Sequence, residues 1–247
     1  MNEILYFLHI PKTAGFNLIN LLKDNFKKDK VYPYAGYHEL FQKNNLNFDS
    51  YDFIHGHYTV SLLKNIKNPV KTITILRNPI SRTISAYNMF MRELEENFEF
   101  SKFKKTSIEN ALKNQSWLFS DQQTKHLGWD SNIIEYPKEK IPKKFSIEAW
   151  QEFYQNVNMD KLFENACENL KKLYLFGFTE KIDEFVQKLY DKMNWNKKNN
   201  LSKKYDDKNY AFKESSLTLN LKKEIEKLNQ YDIKLYDYAL DLYKNLS

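Results

Sequence analysis

At 247 residues the chain is long enough for one large domain or two small ones. Its 42% hydrophobic and 16% aromatic content, with 17 Tyr and 18 Phe, excludes general disorder. The formal charge of +6 is scattered in short clusters such as Lys27-Lys28, Lys104-Lys105 and Lys143-Lys144; this fits a solvated surface or a basic cleft for an anion, and without a binding motif or basic-aromatic repeat it does not point to nucleic acid.

With only 5 Gly and 6 Pro, each of these residues punctuates the chain. "ILYFLHI" (4–10) predicts a buried strand, reached almost at once. After "PKTAG" a helix begins near Gly15 or Phe16, with Leu18, Leu22 and Phe26 at helical spacing. "YDFIHG" (51–56) predicts a short strand. "KTITILRN" (71–78) predicts another, followed by Asn78 as helix N-cap and Pro79 at the first helical position. That helix carries the stripe Ile80, Ile84, Tyr87, Met91 and Leu94. Residues 97–160 read as mostly helical, less regular near Pro137 and Pro142. "KLYLFGF" (172–178) is a fourth strand, with Thr179 expected to cap a helix striped by Ile182, Phe185, Val186, Leu189 and Met193. A polar stretch fills 196–215, and 216–246 predicts two helices broken near Gln230 and Tyr231.

Repeated strand–turn–helix units predict an α/β fold with a mainly parallel central sheet flanked by helices. No repeat or linker divides it, so residues 1–247 are expected to form a single domain. The lone Cys167 cannot form an internal disulfide and lies on the apolar side of a helical pattern, as a small core residue would. No apolar run approaches the roughly 18–20 residues of a membrane span, and "MNEILYFLHIPK" has neither basic leader nor cleavage site. A cytoplasmic protein without an integral membrane segment is the expectation; oligomeric state is not legible.

The chemistry concentrates in "LHIPKTAGFNL" (8–18). A strand–loop–helix junction aims unpaired backbone N–H groups and a helix's positive end at the loop mouth. Gly15 permits close approach of an anion, and Lys12 adds a mobile charge. The order differs from a nucleotide-triphosphate P-loop, because lysine precedes glycine here. No strand ends in an aspartate suited to Mg²⁺; "TITIL" runs into Arg77 and "DFI" into His55, which disfavours a kinase. Arg77, at the end of the 71–78 strand, suits bidentate phosphate binding, with Ser85 two turns into the next helix beside Ser81 and Arg82. Two anion sites suit a ligand with two phosphates.

These residues resemble a known family. "HIPKTAG" resembles the 5′-phosphosulfate loop of sulfotransferases that use 3′-phosphoadenosine 5′-phosphosulfate (PAPS), and "LRNPISRTISAY" resembles their 3′-phosphate motif. "IHGHYT" is similar to the His-Gly-His of the heparan/uronyl 2-O-sulfotransferase branch. "SDQQTKHLG", "LFGFTEKIDEF" and "YDIKLYDYALDLY" are weaker echoes. The resemblance implies a P-loop-NTPase-like three-layer fold and a metal-independent transfer from PAPS to a hydroxyl of a glycan or other acceptor. It implies that Lys12 stabilises the sulfuryl group and the leaving phosphate, that Thr13, Ala14 and Gly15 cradle the 5′-phosphate, and that Arg77 and Ser85 hold the 3′-phosphate. By the same resemblance His57 is the expected general base, ahead of His55, because the family relies chiefly on the second histidine of the motif; a neutral imidazole can accept a proton near pH 7. In an extended chain the two histidines share a side, but Gly56 permits a sharp turn between them.

In "KNNLSKKYDDK", Asn200, Ser202, Lys203 and Lys204 match a loop that closes over the nucleotide, although a solvated lysine loop fits equally. His9 reads as scaffolding and His126 as a helix-surface residue. Trp117 and Trp129, flanking Gln122-Gln123, read as core residues able to stack on a sugar. The family's usual Gly-Thr-Ser is here Gly15-Phe16-Asn17; Asn17 can still donate to phosphate and Phe16 cannot. Two other readings stand beside the enzyme: a non-catalytic nucleotide- or glycan-binding protein, and a P-loop kinase.

Overall fold

The computed structural model describes residues 3–33, 47–96, 106–114, 116–129, 157–196 and 212–245. Its strands are β1 (Ile4–Leu8), β2 (Phe53–Gly56), β3 (Val70–Leu76) and β4 (Leu175–Phe178). Each falls inside or close to its apolar run, the chain leaving the sheet at His9 and Arg77. Every residue of β1 is buried, as a strand covered on both faces requires. The sheet has the order β2-β1-β3-β4 and every pairing is parallel, with Phe7 opposite both His55 and Ile73.

The helices in chain order are α1 (Gly15–Lys23), α2 (Pro79–Glu96), α3 (Ile108–Asn114), α4 (Ser116–Phe119), α5 (Gln122–Gly128), α6 (Met159–Lys172), α7 (Ile182–Met193), α8 (Leu219–Leu228) and α9 (Gln230–Asn245). Alternation along the strands sorts them into layers. Leu5, Phe7, Phe53, Ile73 and Ile75 face α1 and α7 through Leu18, Leu22, Phe185 and Leu189. Ile4, Tyr6, Leu8, Ile54 and Phe176 face α6 and α9 through Leu162, Ala166, Leu235 and Ala239, with Cys167 packed at the edge of that core. A smaller cluster of Ala86, Ile108, Leu112, Leu221 and Ile225 ties α2 to α3 and α8. Among the described residues no helix is long and apolar enough to cross a membrane.

Local signals hold at α2, where the Asn78 Oδ1 accepts from the N–H groups of Ile80 at 3.0 Å and Ser81 at 3.2 Å. They fail at α7. Thr179 does not cap it; its Oγ1 donates to the Leu76 carbonyl at 3.2 Å, and the helix starts only at Ile182, after one 3₁₀ turn. The break between α8 and α9 is at Asn229, whose buried amide donates to Thr83 Oγ1 and the Ile225 carbonyl.

Strand order decides where a ligand can sit. From β1 the chain goes to one side to form β2 and to the other to form β3. The loops leaving the C-terminal ends of β1 and β3 therefore part company, and in an open parallel sheet that divergence opens a crevice. Lys12 and Arg77 are on those two loops.

Candidate active site

The loop after β1 has a strained backbone. Lys12 has φ 71° and Ala14 φ 62°, both left-handed, at a cost of about 1–3 kcal/mol each. Such positions fold successive N–H groups into an anion-receiving concavity, here at the N-terminus of α1. Among the contacts that hold it are two from side chains. The buried Thr13 Oγ1 donates to the Ile10 carbonyl at 2.9 Å, and Arg77 Nη1 donates to the Lys12 carbonyl at 3.1 Å. The two anion sites expected from the sequence thus form one cleft, their cationic residues in direct contact.

The cleft has a volume of about 550 Å³, within the range of small-molecule sites. It brings together Lys12, Ala14, Gly15, Phe16, Asn17, His57, Arg77 and Ser85. His9, Pro11 and Met89 also line it. Thr13 and His55 do not, and Asn200, Ser202, Lys203 and Lys204 lie outside the described residues. Phe16 stands at the mouth with 65% of its surface exposed. The glycine at 15 has a reason the sequence did not disclose: a Cβ there would stand 2.0 Å from the imidazole of His9.

Gly56, with φ 151°, separates the fates of the two histidines in "HGH". His55 points into the core beside the Phe53 ring, centroids 5.3 Å apart, and neither ring nitrogen has a hydrogen-bond partner among the described residues. Burial, then the neighbouring Lys23 and His57, hold its pKa down to about 4. His57 is exposed in the cleft, with Nδ1 2.9 Å from the His9 carbonyl. A carbonyl can only accept, so Nδ1 carries the proton and Nε2 is the basic nitrogen of the neutral ring.

The imidazole of His9 lies 4.4 Å from that of His57 and 5.5 Å from the Phe7 ring. Burial first, then His57, His126, His55 and Lys12, hold its pKa well below the ordinary histidine value. His126 is a correction to the sequence reading. It is buried rather than on a helix surface, donates from Nδ1 to the Gln122 carbonyl at 2.7 Å, and is pushed to about pKa 3 chiefly by burial. Trp129 belongs to the main core, and the Trp117 side chain is outside what the structure describes. Arg82, expected beside Ser85 on a helix face, is wholly buried, with Nη2 donating to the Phe119 carbonyl at 2.6 Å and Nε 3.9 Å from Asp232.

The arrangement supplies two cationic side chains, a strained backbone cradle and a proton acceptor around one cavity. It can bind a polyanion, neutralise a leaving oxyanion and deprotonate a hydroxyl. A family model described as "Sulfotransferase family" matches residues 2–239. No curated protein matches the chain.

Proposed function

The chain belongs to the sulfotransferase family, and from that premise we propose that its donor is PAPS and its acceptor a hydroxyl of a glycan. The observation that carries this reading is the contact between the Arg77 guanidinium and the Lys12 loop, in a cleft that also holds His57. The cavity suits a nucleotide in size and charge. Lys12 and the backbone of residues 13–15 receive the 5′-phosphosulfate, while Arg77 and Ser85 receive the 3′-phosphate. His57 Nε2 takes the acceptor hydroxyl's proton as the oxygen–sulfur bond forms and the bond from sulfur to the bridging phosphate oxygen breaks. Lys12 meets the charge that builds on that oxygen, and adenosine 3′,5′-bisphosphate leaves. A glycan acceptor is favoured by the His-Gly-His likeness to the 2-O-sulfotransferase branch.

Calorimetry tests the donor. Adenosine 3′,5′-bisphosphate should bind without metal and more tightly than adenosine 5′-phosphate, and Arg77→Ala should remove most of that difference. Tighter binding of ATP with magnesium would overturn the assignment. A labelled-sulfate transfer assay across a glycan panel tests the acceptor, and absence of transfer to every glycan would refute that part.

A further inference from the structure

We infer that Gln123 and Glu180 are positioning residues for Arg77, fixing the backbone from which its guanidinium reaches the cleft. The inference rests on the proposed role of Arg77 as the 3′-phosphate ligand. The turn from β3 to α2 is gripped group by group. The Leu76 carbonyl accepts from Thr179 Oγ1 at 3.2 Å. The Arg77 N–H donates to Gln123 Oε1 and the Arg77 carbonyl accepts from Gln123 Nε2, both at 2.9 Å. The Asn78 N–H donates to Glu180 Oε1 at 2.9 Å, while the Asn78 side chain caps α2. A strand end usually leaves such groups to water; here side chains from α5 and from the segment after β4 take these four.

Gln123 stands out because one amide satisfies both backbone groups of one residue, which fixes the position and rotation of that residue. Its own root is fixed in turn. The Gln123 N–H donates to Asp232 Oδ2 at 3.1 Å and the Thr124 N–H to Asp232 Oδ1 at 2.7 Å. Asp121 returns the contact, its Oδ1 accepting from the N–H groups of Tyr231 at 3.0 Å and Asp232 at 2.9 Å. Each carboxylate thus caps the other's helix. Glu180 is braced by the same helix, its Oε2 accepting from Tyr236 OH at 3.2 Å. Arginine has a long, many-jointed side chain, so a guanidinium can be preorganised only if its backbone root is immobile. Nη1, bound to the Lys12 carbonyl, then fixes the other end.

The test compares two nucleotides differing only in the 3′-phosphate. Gln123→Met keeps the chain length and loses both bonds; Glu180→Ala removes the second clamp from an exposed residue. In both, the Kd of adenosine 3′,5′-bisphosphate should rise about tenfold and that of adenosine 5′-phosphate by less than about twofold. A merely structural role would weaken both nucleotides together, and that result, or no change in either, overturns the inference. If Gln123→Met does not fold, Glu180→Ala decides by the same comparison. If wild type fails to distinguish the nucleotides, or Arg77→Ala leaves the distinction intact, the donor reading fails and takes this inference with it. If Arg77→Ala abolishes the distinction while the clamp variants preserve it, this inference alone fails.

Discussion

Replacing His55 by Leu separates the two histidines of the "HGH" segment by their physics. His55 is buried, its ring nitrogens have no hydrogen-bond partner among the described residues, and it is held neutral, with a pKa of about 4. In the unfolded chain the same imidazole titrates near its ordinary value of about 6.5. Above that value both states are neutral and the group adds no pH dependence. Below it the unfolded state takes up a proton that the folded state refuses, so stability is lost as pH falls from about 6.5 toward 4. At pH 5 the loss from this one residue is about 2 kcal/mol, at roughly 1.4 kcal/mol per pH unit. Leucine has a similar volume and no proton to take up. His55→Leu should therefore be as stable as wild type or more so at pH 7, since it also removes two unsatisfied buried nitrogens. At pH 5 its advantage should grow by about 2 kcal/mol. Urea unfolding of both proteins at the two pH values measures this, and sulfate transfer at pH 7 should stay within about threefold of wild type. A stability difference that does not change with pH would refute the burial argument, and a collapse of turnover would return the base to residue 55.

His57→Ala should lower turnover by about 10²–10⁴-fold while leaving the affinity for adenosine 3′,5′-bisphosphate near wild type; retained turnover removes His57 from the base role. Gly15→Ala drives a methyl into the His9 ring, so thermal unfolding should show a loss of about 1–3 kcal/mol, with turnover falling because the His9 carbonyl holds His57; an unchanged melting temperature would refute the packing argument. Asp121 is raised to about pKa 7 by burial and then by Asp232, so its contribution is present below about pH 4 and is lost as pH rises toward 7. Asp121→Asn can still accept both backbone N–H groups and suits the left-handed backbone, φ 43°, at that position. Its stability relative to wild type should climb between pH 4 and 7, and a flat difference across that window would count against the assignment.

The elements were legible where their cause is local. Runs of β-branched and aromatic residues mark all four strands, and Asn-Pro marks the start of α2 because cap and first turn are sequence neighbours. Lys12 and Arg77 were legible because each follows the C-terminal end of a strand, where a parallel sheet gathers its ligands; Ser85, two turns into α2, and His57 joined them through the resemblance of their motifs to the sulfotransferase family. What stayed hidden depends on distant contacts. Thr179 has the chemistry of a cap, yet its hydroxyl goes to Leu76 across the sheet. His126 sits on a short helix whose every residue is buried, which a seven-residue pattern does not reveal. The glycine at 15 makes room for a ring six positions earlier, and Gln123 serves a backbone 46 residues away. The sequence marked "SDQQTKHLG" without disclosing its use.

The mutual capping of α5 and α9 sets an order of assembly during synthesis. A ribosome delivers the Lys12 loop first and Arg77 soon after, but the acceptor for the Gln123 N–H is on the helix that begins at Gln230. Until that helix has emerged, α5 lacks its cap and the arginine its brace. A nascent chain can therefore carry all four described strands before the brace proposed for Arg77 is complete.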